Sequence, residues 1–267
     1  AGTTTGVETI TATVDTDTDT LALAKVSGLT TLAVTSGTDA STLNVTGLNS
    51  GATVVLDDAD VDTATIDTAA SATLTIDNKI ALAGAITVAD ATSVTVQNTG
   101  SAAGDLNALA LDTVDTTSLT LNGGTNGGVD VGAVTATNKL ATLTLTGQTT
   151  GQDVDMVSMV DADALTSLTL TANGGDTEIS GAIGTSGTAS GNAEALATIT
   201  ATASNTGTVT LTNVYADDST NGTTASSTAA DLAMTVTATA GTNSTVALGT
   251  IVNTYGTIAL TTSGLGT

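Results

Sequence analysis

The 267-residue chain predicts an all-β fold, a parallel β-solenoid (β-helix) of about eleven rungs of 20–25 residues each. The first ground is a repeat. Pairs of apolar residues separated by one residue, often Thr, recur at Ile10/Ala12, Leu32/Val34, Val54/Leu56, Leu74/Ile76, Val94/Val96, Leu119/Leu121, Leu143/Leu145, Leu168/Leu170 and Ile199/Ala201, with Val246/Leu248 much later. A second series lies between them, at Leu21/Leu23, Leu43/Val45, Ala64/Ile66, Ile86/Val88, Leu109/Leu111, Val129/Val131, Val154/Met156, Ile179, Val209/Leu211, Met234/Val236 and Ile258/Leu260. Alternation with period two turns one side of each strand inward, and a constant long period returns every strand to the same side of a coil. Two strands per turn fit the offset between the series, and eleven rungs at roughly 4.8 Å make a rod on the order of 50 Å long.

The second ground is composition. Thr supplies 65 residues, while Phe, Trp, His, Cys and Pro are absent and Tyr215 and Tyr255 are the only aromatics. Thr is β-branched and suits a pleated surface, and an interior of Ala, Val, Ile and Leu suits a narrow coil. The third ground is turn chemistry. Small polar residues follow the first-series strands at Asp15, Ser36, Asp57, Asp77, Asn98, Asn122, Gln148, Asn173 and Asn205. Such side chains bond their own backbone and tolerate left-handed turns, so an aligned column of them is expected at one corner of the coil. The rhythm lengthens near 180–197 and 215–231, Gly/Ser/Thr-rich stretches that read as loops bulging from the rod. Residues 1–267 form a single β-solenoid domain on this reading. With Ala1 in place of Met and no leader pattern, the chain reads as processed or as a fragment of a larger protein.

The inventory narrows the function. Three Lys (Lys25, Lys79, Lys139) face 26 acidic residues, a formal charge of −23, and without a basic cluster neither nucleic acid nor an anionic membrane surface is an expected partner. No apolar run is long enough for a transmembrane segment. The missing His and Cys remove thiol and imidazole catalysis, and paired carboxylates lack the aromatic or cationic groups that hold a sugar, so no enzyme is expected.

Calcium fits the inventory better. Hard cations take several oxygen ligands, and Asp residues are bunched at Asp15 and Asp17, at Asp57, Asp58, Asp60 and Asp62, at Asp153 and Asp155, and at Asp217 and Asp218. Spacings near the rung period predict columns pairing Asp17 with Asp39, Asp90 with Asp112, and Asp130 with Asp153 and Asp176, where stacked carboxylates repel unless a cation or proton lies between them. These fifteen residues are the candidate metal ligands, to be assembled across rungs, because no EF-hand or nonapeptide loop motif is complete. Thr-x-Thr arrays at Thr142/Thr144/Thr146, Thr169/Thr171 and Thr198/Thr200/Thr202 resemble ice-binding surfaces, although outward Thr is also an ordinary soluble strand former.

Gly6-Val7-Glu8-Thr9-Ile10 followed by T-A-T-V, with G-L-T-T-L-A-V-T-S at 28–36, K-L-A-T-L-T-L-T-G at 139–147 and A-L-T-S-L-T-L-T-A-N-G at 164–174, resembles the repeats of Gram-negative surface-layer (S-layer) proteins and related secreted, RTX-associated repeat proteins. The resemblance covers most of the chain. It implies an acidic, Cys-free, calcium-dependent protein of the cell surface, and no site residue transfers with it. The expected function is structural: an extracellular protein that assembles with itself, head to tail through strand edges, into a surface layer or filament, with cell-surface polysaccharide as a further partner. The alternative is a binding module, either an adhesin stalk or an ice-binding solenoid.

Overall fold

A computed structural model describes residues 3–14, 17–36, 41–57, 61–100, 104–111, 115–124, 127–135, 139–184, 193, 195–216, 233–253 and 257–264. They contain strands and turns and no helix. In chain order the strands are β1 (Thr4–Thr5), β2 (Thr9–Val14), β3 (Thr18–Ala22), β4 (Val26–Ser27), β5 (Thr31–Ser36), β6 (Ser41–Leu48) and β7 (Ala52–Leu56). There follow β8 (Val61–Asn78), β9 (Leu82–Gln97), β10 (Gly104–Ala110), β11 (Ser118–Asn122), β12 (Val129–Thr135), β13 (Thr142–Gly147) and β14 (Val154–Val160). The last are β15 (Ser167–Asn173), β16 (Thr177–Ile183), β17 (Thr198–Ser204), β18 (Thr208–Tyr215), β19 (Met234–Ala240), β20 (Thr245–Val252) and β21 (Ile258–Gly264).

Every pairing between them is parallel, and nearly every strand pairs with the strand two places on, so the chain is a parallel β-solenoid with two main sheets. The first sheet stacks β2, β5, β7, the second half of β8, the second half of β9, β11, β13, β15, β17, β19 and β21. The second stacks β3, β6, the first halves of β8 and β9, β10, β12, β14, β16, β18 and β20. The coil makes about nine turns, a little short of the eleven rungs expected. Strands β1 and β4 add a short parallel pair beside the first rung.

The interior follows from the alternation. Leu32, Val54, Ile76, Val96, Leu119, Leu143, Leu168, Ile199 and Val236 are fully buried from the first sheet, and Leu43, Ile66, Ile86, Leu109, Val134, Met159, Ile183 and Val214 face them from the second. This is one continuous core of aliphatic residues, and its two-sheet thickness leaves no room for aromatics.

Two details depart from the sequence reading. At the C-terminal end the phase is exchanged: Val236 and Leu260 stack on Ile199 in the first sheet, while Val246 and Leu248 stack on Val209 and Leu211 in the second. The segment between β18 and β19 inserts an extra half-period, so a count carried across it assigns the strands to the wrong faces. The second register change lies within the second sheet, where Leu109 pairs with Val134, and Val131 pairs with Leu106, in contrast to the expected alignment of Leu109/Leu111 with Val129/Val131. These strands bend after their first inward pair, with register breaks in the β10–β9, β14–β16 and β16–β18 pairings, as β-bulges produce. Gly181 sits at the bend because a Cβ there would lie 2.4 Å from the carbonyl oxygen of Val157 on the rung before.

Of the expected corner residues, Asn98 is fully buried and donates to the carbonyl of Gly128 at 2.9 Å. Gln148 donates to Asn122 at 2.8 Å, Asn205 donates to Asn173, and Asp77 accepts from the Thr99 amide and hydroxyl at 2.8 and 2.6 Å. They link adjacent rungs in pairs rather than forming one column, since Asp77, Gln97 and Asn122 stack on the sheet face while Asn98 turns into the corner. Asp15 lies outside the described residues. So do half of the expected loop 180–197 and most of 215–231, although 180–183 belongs to β16.

Candidate acidic face

The two sheets present different chemistry outward. Along the first, one column is Thr on every rung: Thr9, Thr31, Thr53, Thr75, Thr95, Thr120, Thr144, Thr169, Thr200, Thr237 and Thr261. The strands of this sheet carry a single charged residue, Asp77, and it is buried against Thr99.

Along the second sheet an acidic ladder occupies one outward column, Asp105 on Asp130 on Asp155 on Glu178, in β10, β12, β14 and β16. Each ladder residue on β12, β14 and β16 is wedged between two inward side chains, for example Val129 and Val131, so the alternation that builds the core forces the carboxylates outward together. Beside them Asp153 and Asp176 stack at the corner. The Asp153 carboxylate accepts from the Asp176 amide at 2.7 Å, and the Asp176 carboxylate accepts from the Thr208 amide at 2.7 Å. Asp130 therefore stacks on Asp155, not on Asp153 as a spacing of 23 residues suggests, because this rung is 25 residues long.

Ladder carboxylates on neighbouring rungs lie only about 4.8 Å apart at their backbones. Half-burial first, then a hydrogen bond and the charge of Asp105, then the charge of Asp153, push the Asp130 carboxyl up to about 6. Asp155 also rises to about 6, through half-burial first and then the charges of Asp130, Glu178, Asp153 and Asp176. The Oδ1 atom of Asp105 is buried and has no hydrogen-bond partner. A groove of about 550 Å³ runs along the ladder, lined also by Leu82, Leu106, Val131 and Val157. Such an arrangement can share protons between neighbours or gather cations. No group of three or more acidic side chains among the described residues is arranged around one ion, so the ladder is a line of pairs rather than a chelating cage.

The other candidate ligands scatter. Asp57 meets Lys79 at 3.4 Å, a surface ion pair of small energetic weight. Asp90 takes the left-handed conformation, φ 62°, at the corner that joins the two halves of β9. Asp17 precedes β3 and its carbonyl accepts from the Thr42 amide, while Asp62 lies in β8 below Gly84. Asp39, Asp58, Asp60, Asp112, Asp217 and Asp218 lie outside the described residues. Asp105 and Glu178 escaped the sequence reading. The signal for the ladder was present in G-D-L, V-D-V, V-D-M and T-E-I, each with an acid ahead of an inward residue, at 104–106, 129–131, 154–156 and 177–179.

No helix among the described residues is long and apolar enough to cross a membrane. Comparison with protein families, with curated proteins and with solved structures finds no match to this chain.

Proposed function

We propose that the chain is a non-catalytic structural protein of the cell exterior, a rod that assembles with copies of itself into a surface layer or filament. The observation that supports this reading is the repetition of the surface. Eleven strands of the first sheet offer the same Thr position at every rung, and a contact repeated about every 4.8 Å suits a partner with the same repeat, such as another rod. The resemblance of its repeats to those of surface-layer proteins points the same way, with cell-surface polysaccharide as the anchoring partner.

Calcium enters as part of the proposal. A cation between two rungs can take oxygens from both at about 2.3–2.6 Å and relieve the repulsion of stacked carboxylates. Electron microscopy and thermal unfolding in calcium and in chelator, at one fixed high concentration of monovalent salt, test both parts. Ordered assemblies and a higher melting temperature in calcium are expected. Uniform monomers at high protein concentration in both buffers overturn assembly, and identical melting leaves the acids as surface charge.

The runner-up is a binding module, and the unbroken Thr column favours its ice-binding form over an adhesin stalk. Its readout is thermal hysteresis, lost when Thr144 and Thr169 are replaced by Tyr.

A further inference from the structure

The Thr face and the acidic face lie on opposite sheets of one rod. At a formal charge of −23, copies of this chain repel one another at long range, and the repulsion is strongest where the ladder faces outward. The first sheet is the side on which two copies meet with their charge turned away. Within it, the hydroxyls of Thr144, Thr169, Thr200 and Thr237 form no hydrogen bond to another described residue, so both hydroxyl and methyl are open to a partner.

The size is also sufficient. Ten steps of about 4.8 Å by five residues of about 3.3 Å give a strip of roughly 800 Å². Two such strips bury about 1,600 Å² together, the area of a standard specific interface. Flat sheets bearing the same short side chain on each rung pack face to face about 10 Å apart with their side chains interleaved.

We propose that the Thr face of the first sheet is a self-interface, on which a second copy of the rod seats its own Thr face. The inference rests on the self-assembly reading and names the surface it uses. Because the face repeats with every rung, two rods can pair with a stagger of whole rungs. The overhang then accepts a third rod, which extends the pair into a two-stranded filament rather than a closed dimer.

The test compares three proteins by sedimentation velocity at moderate salt. One carries Thr144→Asp, Thr169→Asp and Thr200→Asp on the Thr face, and the second carries Asn44→Asp, Thr87→Asp and Thr212→Asp on the other sheet. The third is unchanged. The Thr-face variant is expected to associate about tenfold more weakly or worse, since it places like charges opposite each other in the interface, while the control variant stays close to the parent. Circular dichroism checks that both fold. A single Thr169→Cys substitution gives an independent reading, since the chain has no cysteine: a bifunctional thiol reagent long enough to span the roughly 10 Å between facing sheets and a rung or two of stagger joins two copies if the faces meet, and Thr87→Cys is not joined. If the parent assembles and neither the Asp triple nor the Cys pair distinguishes the faces, this inference fails and self-assembly stands on another surface. Equal weakening of both triple variants also overturns it. A parent that stays monomeric at high concentration ends both readings, and if it then shows thermal hysteresis that the Thr-face variant loses, the occupant of the face is ice.

Discussion

Asp130 and Asp155 show how a single outward position acquires unusual chemistry by stacking. Each carboxyl is raised to about 6, with burial as the larger cause and neighbouring acids as the next. The folded state therefore holds protons that the unfolded chain, with ordinary carboxyls near 3.8, has already released. Stability contributed by the ladder is fully present in acid, below the unfolded value, and is lost as pH rises through about 6. Asp130→Asn together with Asp155→Asn keeps the shape and removes the repulsion. Urea unfolding at pH 7.5 is expected to show the double variant more stable by about 1–2 kcal/mol, a figure reduced for screening at half-exposed positions. The gap should narrow at pH 4.5 and close below about 3.8. A parent no more stable relative to the variant at pH 4.5 than at pH 7.5 would show that the ladder does not titrate as described.

At the scale of the strand, the core was legible because period two is strict where both neighbours of an inward residue point out, as in Leu143-Thr144-Leu145. The faces at the C-terminal end were not, because phase was carried by counting and the insertion before β19 adds half a period. The acidic ladder was half legible. Asp130, Asp153 and Asp176 were named from spacing and Asp155 from its bunching with Asp153, but which of them stack depends on the exact length of each rung, 25 residues here, and only the pairing of Asp130 with Asp155 discloses Asp105 and Glu178. The bulge within the second sheet can itself be tested. Gly181→Val puts a branched side chain where even a Cβ meets the Val157 carbonyl oxygen at 2.4 Å, and backbone cannot yield as a flexible side chain does. A loss of about 1–3 kcal/mol is expected from such overpacking. By contrast Ser180→Val, one residue earlier on an exposed outward position, should stay within about 0.5 kcal/mol. Comparable urea midpoints for the two would remove the steric account of the bend.

The whole molecule behaves as a stack in which each turn touches only the turns before and after it, so its stability is close to a sum of rung and interface terms. The register states which segment is one turn. Thr142 stands on Ser118 and beneath Ser167, so residues 142–166 are one complete circuit, β13 and β14 included. Deleting them joins Ala141 to Ser167. In the shortened rod Ser167 stands on Ser118, Thr169 continues the Thr column from Thr120, and Glu178 takes the place of Asp155 above Asp130. Val131 meets Ile179 in the shortened rod, Thr177 stands on Val129 as it stands on Val154 in the parent, and the excised turn leaves no unpaired edge. The deletion is therefore expected to fold, with the same strand signature by circular dichroism and a modestly lower melting temperature. A deletion of 142–153 is the contrasting case. It removes half a circuit and delivers Val154-Asp155-Met156 to the first sheet, with Asp155 in the place of buried Leu143 and Met156 in the Thr column, and each later strand is passed to the opposite face. That protein should fail to fold cooperatively. If both deletions melt alike, the rungs are not interchangeable units, and the repeat in the sequence is not the unit of stability.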